Sequence, residues 1–381
     1  MTRTDVLIIG GGLAGCATAY YLARAGVGVT VIERADLNMA ASGANAGGFH
    51  AQIPHLTYME EGEAWAENFA PVIEMLKDGI AMWQGLEAEL HTDLEVKVAG
   101  GLLVADRPGQ MRDIARRMAI ERRYGLEVHA LSRAELFDLA PYVSERMAGG
   151  CFCPIEGKAN PLKATPAFAR RAAERGAVFQ RQTELLGLET APGGFLARTS
   201  RGTIQAGRVV NCAGADAAKI AAMVGIAIPL QGFAIQVSVT AAAEPLMPHL
   251  VYAAALRMTL KQAANGTILI GGGWPARRDS VTGAALVDPD SLLGNLTVAV
   301  DVVPALRQAD LVRSWAGVVN GTADWRPIIG EVRRQKGFFC NLFPWTGFTA
   351  GPVSALTTAE LVLGRKPSID IARYSSLKEE A

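Results

Sequence analysis

Apolar runs and helix-like stretches alternate at the start of the chain. Residues 5–9 (DVLII) and 29–32 (VTVI) are short apolar runs, and residues 14–25 between them have the composition of a helix. Gly26 and Gly28 follow that stretch and are expected to end it. Two apolar runs on either side of a helix are typical of a βαβ unit, whose parallel strands are buried on both faces. The pattern therefore predicts a parallel α/β unit at the beginning of the chain.

Two long stretches that follow have helical periodicity. Apolar residues recur at helical spacing within residues 60–90, which predicts a helix there. Residues 108–124 are also helical in pattern, and a strand is expected before them at residues 100–105. The arginines of this second helix are expected to form a solvent-exposed face; they are Arg112, Arg116, Arg117, Arg122 and Arg123.

The second half of the chain mixes α/β segments with strand-rich ones. Residues 233–274 alternate between apolar and polar positions, as antiparallel strands do. The other expected elements are a helix over 162–175, a strand, glycine turn and helix over 208–225, a helix over 288–303, a strand over 338–341 and a helix over 351–363. Because β-rich segments separate the α/β pieces, we predict a discontinuous nucleotide-binding domain that supports a β-sheet substrate domain.

Composition narrows the class of protein. A chain of 381 residues, of which 50% are hydrophobic and 19% charged, is expected to form two well-buried domains. Basic and acidic residues each number 37, so the net charge of zero favours no nucleic-acid partner. Five scattered cysteines argue against a disulfide framework and favour a reducing compartment. Cys151 and Cys153 have neither a second pair nor nearby histidines, so we expect no metal site.

The N-terminal apolar run follows Arg3 and superficially matches a secretory signal. Gly10, Gly11 and Gly12 interrupt it, however, and no small-residue cleavage site follows cleanly. No later stretch has the ~18 to 20 uninterrupted apolar residues that a membrane span needs. We therefore expect no transmembrane segment and a cytoplasmic protein, with peripheral attachment to the inner membrane only through partners.

The first apolar run leads into a G-x-G-x-x-G motif at residues 10–15. In such a motif Gly10 permits the tight turn, Gly12 lets a pyrophosphate approach the backbone, and Gly15 lets the following helix pack on the strand. The helix then directs its positive N-terminal end at the phosphates. This arrangement predicts a dinucleotide site.

Glu33 ends the second apolar run, with seventeen residues between it and Gly15. An acid at this place can accept hydrogen bonds from a ribose 2′-hydroxyl and would repel a 2′-phosphate, which disfavours NADP. The first unit alone leaves FAD and NAD open. Further glycine loops at residues 42–48, 211–214 and 347–351 favour FAD.

A loop of small residues, AASGANAGG, occupies residues 40–48. Such a loop can follow a planar ligand closely and donate backbone N–H groups to it; a plain glycine-rich connector is the alternative. His50, Gln52 and His55 come directly after the loop. They either line a substrate face or satisfy backbone groups of the loop.

Taken in order, these motifs resemble the D-amino acid oxidase and glycine oxidase superfamily of FAD-dependent amine oxidoreductases. The motifs are the segment 10–33, ASGANAGG at 41–48, GKANP at 157–161, VVNCAGADAAK at 209–219, DWRPIIG at 324–330 and WTGFTAGP at 345–352. The segments SGANAGGFHAQIPH and WAGVVNGTADWRPIIGE are most similar to the FAD-carrying subunits of opine (octopine or nopaline) oxidases. Hydrogen cyanide synthase subunits and hydroxyproline or sarcosine oxidoreductases are further similar proteins.

The resemblance implies a set of residues around non-covalent FAD and a set on the substrate side. The FAD set is Gly10, Gly12, Leu13, Ala14, Gly15, Glu33, Arg34, Ala41, Ser42, Asn45, Ala46, Gly47, Gly48, Leu185, Ala213, Gly214, Gly330, Trp345, Gly347, Phe348 and Thr349. The substrate-side set is His50, Gln52, Tyr252, Lys261, Gln262 and Trp274. For the last four, a place in the core or on the surface of the sheet is the alternative, and for Trp345 and Phe348 it is core packing.

The chain departs from the family pattern at two places. Many members have a carboxylate-binding arginine just after the WAG stretch, where this chain has Val318, Val319 and Asn320. Arg257 or Lys261 is then the alternative partner for a carboxylate. No cysteine lies in GVVNGTADW, the stretch where covalently flavinylated sarcosine oxidases have theirs. We therefore expect non-covalent FAD.

The resemblance also implies fold and activity. The expected fold is a discontinuous, Rossmann-like FAD-binding domain (1–88, 146–226 and 322–381) with an antiparallel-sheet substrate domain (89–145 and 227–321). The expected reaction is oxidation of the C–N bond of a small amine, such as an opine or imino acid, with hydrolysis of the imine. A D-amino acid, glycine or sarcosine-type oxidase, an NAD-dependent dehydrogenase and an electron-transfer subunit are the alternatives. Partner subunits that accept electrons, and an FMN at a subunit interface, are expected by the same analogy.

Overall fold

The computed structural model describes residues 1–373 of the chain. The α-helices are α1 (Leu13–Arg24), α2 (Ala41–Ala44), α3 (His55–Phe69), α4 (Val72–Leu90), α5 (Pro108–Arg123), α6 (Arg133–Leu139), α7 (Pro161–Ala173), α8 (Ala217–Ala222), α9 (Pro289–Val302) and α10 (Gly347–Val362). The strands of the first half are β1 (Thr2–Ile9), β2 (Val29–Ile32), β3 (Gly48–Phe49), β4 (Lys97–Val98), β5 (Gly101–Ala105), β6 (His129–Ser132), β7 (Gly149–Cys153), β8 (Gly157–Lys158), β9 (Val178–Gln180) and β10 (Leu185–Ala191). Those that follow are β11 (Gly194–Thr199), β12 (Gly202–Asn211), β13 (Gln231–Ala242), β14 (Leu250–Ala253), β15 (Thr259–Gln262), β16 (Thr267–Gly271), β17 (Arg277–Arg278), β18 (Ala285–Leu286), β19 (Leu311–Gly321), β20 (Ile328–Glu331) and β21 (Phe338–Leu342).

A mixed sheet with a parallel centre forms the nucleotide-binding half of the molecule; β10, β11 and β20 add antiparallel pairs to it. Its central strands run in the order β9–β2–β1–β12–β21, and each neighbouring pair is parallel. All four residues of β2 are buried, as expected for a parallel strand covered on both faces. Helix α1 packs against α7 and α10. The predicted βαβ unit is thus present, and segments distant in sequence complete the sheet around it.

A second large sheet forms the other half, in the order β19–β13–β16–β15–β14–β5–β7–β6. Its pairs are antiparallel except for β14 with β5. Strand β7 belongs to this sheet, although the predicted boundaries placed residues 146–226 in the FAD segment. That assignment was wrong for β7, because its hydrogen-bond partners are both substrate-sheet strands. The other boundaries remain predictions, and residues 374–381 of the last FAD segment lie outside the described residues.

The helices differ from their predicted bounds at two places that matter for the site. The stretch 60–90 contains two helices, α3 and α4, which separate around Pro71. The last helix begins at Gly347 rather than at residue 351. Its first turn therefore contains residues that the sequence analysis placed in a loop. Within residues 1–373, no helix has both the length and the apolar character needed to cross a bilayer.

One residue of the predicted arginine face of α5 is buried. Arg112, Arg116, Arg122 and Arg123 are exposed as expected, whereas Arg117 is only 1% exposed. The prediction was wrong for Arg117, which is on the same side of the helix as the buried residues Ile114, Met118 and Glu121. The helix thus places a guanidinium inside the protein.

Candidate active site

The glycine loop after β1 requires glycine because of close backbone contacts. A Cβ on Gly10, where φ is +111°, would lie 2.4 Å from the Cys212 carbonyl oxygen. A Cβ on Gly15 would lie 1.9 Å from the Gly10 carbonyl oxygen, so α1 packs directly on the loop. On Gly12 it would lie 2.8 Å from Ser42 Oγ. The loop is therefore a bare backbone cradle, the shape that a pyrophosphate needs.

Glu33 lies beside this cradle at the end of β2. Its Oε2 accepts a hydrogen bond of 2.8 Å from the Gly11 N–H, and its Oε1 accepts one of 2.8 Å from the Ala35 N–H. Each oxygen keeps a further lone pair, which is what a ribose hydroxyl would use. Arg34, by contrast, forms an ion pair with Asp216, and its Nη2 lies 2.8 Å from Asp216 Oδ2. The nucleotide contacts of both residues remain predictions.

Other predicted cofactor residues lie near the cradle or along its strands. Ser42 Oγ accepts a hydrogen bond of 2.9 Å from the Leu13 N–H, which ties the small-residue loop to the start of α1. Ala213 lies against Gly10 in the turn after β12. Leu185 is buried in a core cluster, and Gly330 pairs with Cys340 in the β20–β21 ladder. For these residues the structure gives a location, and their roles stay predictions.

A cavity of about 270 Å³ lies between the small-residue loop, the start of α10 and the second sheet. Its lining includes the predicted cofactor residues Ala41, Asn45, Ala46, Gly47, Gly48, Trp345 and Phe348. It also includes four of the predicted substrate-side residues, His50, Gln52, Tyr252 and Lys261. The structure thus brings two separately predicted sets of residues to the same cavity.

Gln262 and Trp274 do not line this cavity. The Gln262 carboxamide accepts a hydrogen bond of 2.7 Å from the Leu246 N–H and donates one of 2.9 Å to the Glu244 carbonyl, so it organises the β13–β14 connection. The Trp274 indole donates to the Arg257 carbonyl, and its ring packs over Gly294. Both side chains are occupied by contacts within the sheet domain, and we do not propose them as substrate ligands.

Aromatic rings form one side of the cavity. Trp345 has a positive φ of 56° and stacks on Trp325 with ring centroids 4.9 Å apart. Phe348 stacks on Phe49 at 5.9 Å. The Trp345 Nε1–H is buried with no hydrogen-bond partner among the described residues. A buried donor without a partner is costly unless a ligand satisfies it. The cradle, the ring-lined cavity and this donor all fit a bound flavin nucleotide.

A buried polar network stands behind the cavity. His50 Nδ1 lies 2.7 Å from Tyr252 Oη, and Tyr252 Oη lies 3.1 Å from Glu156 Oε2. Glu156 also accepts hydrogen bonds of 2.6 and 2.9 Å from the Ala51 and Gln52 N–H groups. The network fixes the segment that follows the small-residue loop.

The network extends from Gln52 to a buried ion pair. The side-chain oxygen of Gln52, Oε1, accepts a hydrogen bond of 2.7 Å from Arg117 Nη2. Arg117 Nε lies 3.3 Å from Glu121 Oε1, and both side chains are almost completely buried. Burial raises the pKa of Glu121 to about 7, against the attraction of Arg117.

The buried positions of Arg117, Glu121 and Glu156 were not predicted from the sequence. Arg117 and Glu121 could have been found from their four-residue spacing on the apolar side of a predicted helix. Glu156 is the only acid in the apolar and glycine-rich segment 149–157, but such a residue is also common at an exposed turn. Its burial depends on Gly101, where a Cβ would lie 1.8 Å from Glu156 Oε2.

Among residues 1–373, two cationic side chains that line the cavity have no buried acid as a close partner. Burial, and then the neighbouring charge of Lys158, lowers the pKa of Lys261 to about 7. Arg257 is 46% exposed and lies 3.4 Å from Glu60 at the surface. Val319, in the stretch where an arginine was expected from the resemblance, also lines the cavity. A substrate carboxylate therefore has Lys261 and Arg257 as its available partners.

A sequence model of the DAO family, described as FAD dependent oxidoreductase, matches residues 5–361. The chain belongs to this family. It is 27% identical over 382 residues to glycine oxidase from Geobacillus kaustophilus, covering 98% of this chain and 96% of the relative. It is also 27% identical over 396 residues to an opine oxidase subunit from Rhizobium meliloti, covering 100% and 99%.

A solved structure of a relative has the same fold as this chain. The crystal structure of glycine oxidase from Geobacillus kaustophilus superposes with a TM-score of 0.88 at 26% identity and covers 100% of both chains. Membership of the DAO family confirms the predicted resemblance, fold class and FAD cofactor. The protein is an FAD-dependent oxidoreductase that acts on CH–NH groups. The individual residue roles were predicted from motifs and stay predictions.

Proposed function

We propose that this DAO-family protein oxidises an amino acid-derived secondary amine, such as an opine or an imino acid. Bound FAD supplies the hydride acceptor, and water hydrolyses the resulting imine. An opine would then yield an amino acid and a 2-oxo acid. The likeness to glycine oxidase and to the opine oxidase subunit supports an amine substrate, and the residues of the cavity support the narrower choice.

The observation that carries this proposal is that two cations line the same cavity as the His50–Tyr252 pair. Lys261 and Arg257 both line the cavity, and an opine has two carboxylates to place. A carboxylate beside Lys261 would favour its charged form and so offset the effect of burial. The His50–Tyr252 pair offers hydrogen-bonding atoms to the amine between the two carboxylates. A simple amino acid would leave one of the cations without a carboxylate.

The chain's own side chains then bind, orient and shield the amine. Phe348 and the Trp345–Trp325 stack close one side of the cavity against water. Gly47 and Gly48 line the cavity, and the missing Cβ at Gly48 leaves room for His50 Nε2 and Lys261 Nζ. The candidate cofactor residues set out above would hold FAD, with Glu33 on the adenosine ribose and the glycine cradle on the pyrophosphate.

Anaerobic bleaching of the flavin tests the proposal. The purified protein is mixed without oxygen with a panel of opines, proline derivatives, sarcosine, glycine and D-amino acids. We expect bleaching with N-alkylated amino acids that have two carboxylates, and slower or no bleaching with glycine and D-amino acids. Bleaching by D-amino acids or glycine alone would overturn the opine assignment.

We also propose that electrons leave this chain through a partner subunit. This proposal is supported by the similarity to a relative that is named as one subunit of an opine oxidase. Steady-state turnover of the isolated chain is measured with oxygen and with a dye acceptor. Slow turnover with oxygen and fast turnover with the dye is expected, whereas full turnover with oxygen would contradict the proposal. An FMN at a subunit contact and the domain boundaries stay predictions.

A further inference from the structure

A continuous hydrogen-bonded chain leads from the cavity to a carboxylate that solvent does not reach. His50 lines the cavity and contacts Tyr252 Oη through Nδ1, and Tyr252 Oη contacts Glu156 Oε2, at 2.7 and 3.1 Å. Glu156 is 0% exposed. The substrate-binding role proposed above uses His50 and Tyr252, and it gives no reason for a buried acid behind them.

The position of Glu156 is specifically built for a carboxylate. It accepts hydrogen bonds from the Ala51 and Gln52 N–H groups and from Gln52 Nε2, in addition to its contact with Tyr252. Gly101 leaves the space that its Oε2 occupies. Arg117 does not contact it directly, because the Gln52 carboxamide lies between them and the guanidinium pairs with Glu121. The charge of Arg117 therefore acts on Glu121 at close range and on Glu156 only across the Gln52 carboxamide.

The chain has two arrangements of protons. When Glu156 is ionised it can only accept, so Tyr252 donates to it and accepts from the His50 Nδ1–H, which leaves a lone pair on Nε2. When Glu156 is protonated it donates to Tyr252, which then donates to His50 Nδ1, and Nε2 carries the hydrogen. His50 is a neutral imidazole in both arrangements. Moving one proton in at Nε2 therefore moves one proton onto Glu156.

We propose that the chain His50–Tyr252–Glu156 takes a proton from the ammonium form of the substrate and stores it on Glu156. The inference rests on the proposed amine substrate, whose nitrogen must be neutral before hydride leaves the adjacent carbon. The ammonium N–H, the His50 Nδ1–H and the Tyr252 O–H bonds break. An Nε2–H bond, a new Tyr252 O–H bond and a Glu156 O–H bond form. The ammonium and carboxylate charges disappear together, and no electron is transferred.

Electrostatics explains why the proton passes through His50 instead of staying on it. A Cβ on Gly48 would lie 2.7 Å from His50 Nε2 and 3.3 Å from Lys261 Nζ, so a cation lies close to the ring. Burial, and then the charge of Lys261, lowers the pKa of His50 to about 3. Burial raises the pKa of Glu156, against its hydrogen bonds. The other titratable groups that act on the relay are Arg117, Glu121, Cys151 and Cys153, and Lys158 acts on Lys261.

Nitrogen NMR of the histidine rings tests the two arrangements without any turnover. The FAD-loaded protein is labelled with ¹⁵N-histidine and titrated from alkaline to acid pH, and His50→Gln identifies the signal among the five histidines. We expect the His50 ring to stay neutral while the hydrogen moves from Nδ1 to Nε2. Formation of an imidazolium would overturn the proposal. An unchanged tautomer over the whole range in which the protein is folded would overturn it as well.

Variants locate the storage site. Glu156→Gln keeps the shape but cannot take up a proton, and Tyr252→Phe interrupts the chain while it leaves Glu156 in place. Both are expected to abolish the pH-dependent exchange of tautomers. Tyr142→Phe is the matched control, because Tyr142 Oη contacts His249 Nδ1 at the same distance of 2.7 Å but outside the cavity lining. A pH-dependent exchange that persists in Glu156→Gln would overturn the role of Glu156.

Flavin bleaching separates this inference from the proposed function. With an opine that bleaches the wild-type protein, Glu156→Gln and Tyr252→Phe should lower the bleaching rate at neutral pH by about 100-fold. The rate should recover at alkaline pH, where the free amine is already neutral, and Tyr142→Phe should behave as the wild type. If no amine bleaches the wild type, the proposed function fails and the NMR titration still decides the relay. Unchanged pH profiles in both variants would overturn the proton relay and leave the proposed function standing.

Discussion

Arg117 and Glu121 form an ion pair inside the protein, with Arg117 Nε 3.3 Å from Glu121 Oε1. The two side chains are 1% and 0% exposed, and they are four residues apart on α5. Arg117 also donates to the Ile53 carbonyl, and Glu121 accepts from the Ile53 N–H. The pair therefore holds the segment that brings His50 to the cavity.

Removing the cation of this pair should be strongly destabilising. Arg117→Met leaves Glu121 buried without its partner, and we expect the free energy of unfolding to fall by about 3–5 kcal/mol. Denaturant unfolding of the FAD-loaded protein measures the change. Arg116→Met is the control, because Arg116 pairs with Asp113 at 2.5 Å on the exposed side of the same helix. This substitution should lower the free energy of unfolding by less than about 1 kcal/mol.

The double variant distinguishes the pair from simple packing. Arg117→Met together with Glu121→Gln removes both charges, so it should recover part of the lost stability. If the single and double variants are equally unstable, the loss comes from the shape of Arg117 and its bonds to Ile53, and the ion-pair explanation fails.

Gly15→Ala should abolish the yellow colour of the purified protein. The added Cβ would lie 1.9 Å from the Gly10 carbonyl oxygen, so either α1 or the cradle must move. Overpacking of this kind lowers the free energy of unfolding by about 1–3 kcal/mol. Flavin content and unfolding are measured together. Gly85→Ala, in α4, is the control, because within residues 1–373 its added Cβ would meet no atom closer than 4 Å apart from its chain neighbours and the backbone of its own helix. We expect full FAD content and a gain of about 0.4–1 kcal/mol in the free energy of unfolding. Normal flavin content in Gly15→Ala would argue against the cradle.

Neighbouring residues of β15 show how far the sequence could predict the site. The motif at residues 10–15 and Glu33 depend on local geometry, so their positions followed from spacing. Lys261 and Gln262 were predicted together, yet only Lys261 lines the cavity that contains His50 and Tyr252, because successive side chains of a strand point to opposite faces. The register that decides which of them faces inward comes from pairing with β14 and β16. The sequence contains no local signal for that pairing.

Glu156 shows a second limit of the sequence. A glutamate between an isoleucine and a glycine is compatible with an exposed turn, and its polarity favours that interpretation. It is buried because Tyr252, Gln52 and the space at Gly101 converge on it from three separate segments. Contacts among distant segments determine its environment, and they appear only in the folded chain.

Arg257→Gln should weaken the binding of substrates that have two carboxylates. Loss of one charge-assisted hydrogen bond is expected to raise the KM of an opine about tenfold or more, with kcat little changed. The KM of sarcosine, which has one carboxylate, should change little if Lys261 binds that group. Steady-state kinetics with a dye acceptor measures both. Arg146→Gln is the matched control, because Arg146 forms a similar surface ion pair of 2.8 Å with Asp301 and does not line the cavity. Equal effects on the two substrates would contradict a second carboxylate subsite.

The protein should lose stability in acid through its buried histidines, and His55 gives the clearest test. Burial, and then the charge of Arg117, lowers the pKa of His55 to about 3, and its Nδ1 has no hydrogen-bond partner among residues 1–373. Below pH ~6.5 the unfolded chain binds a proton at this ring that the folded chain does not, so stability falls as the pH falls. For each such histidine, the free energy of unfolding changes by about 1.4 kcal/mol per pH unit between that pH and its pKa in the folded protein.

Chemical unfolding of His55→Gln at pH 7.5 and 5.5 should show a weaker pH dependence than the wild type. The exposed His129 provides the control variant His129→Gln, and an equal slope in all three proteins would show that His55 accepts its proton without unfolding.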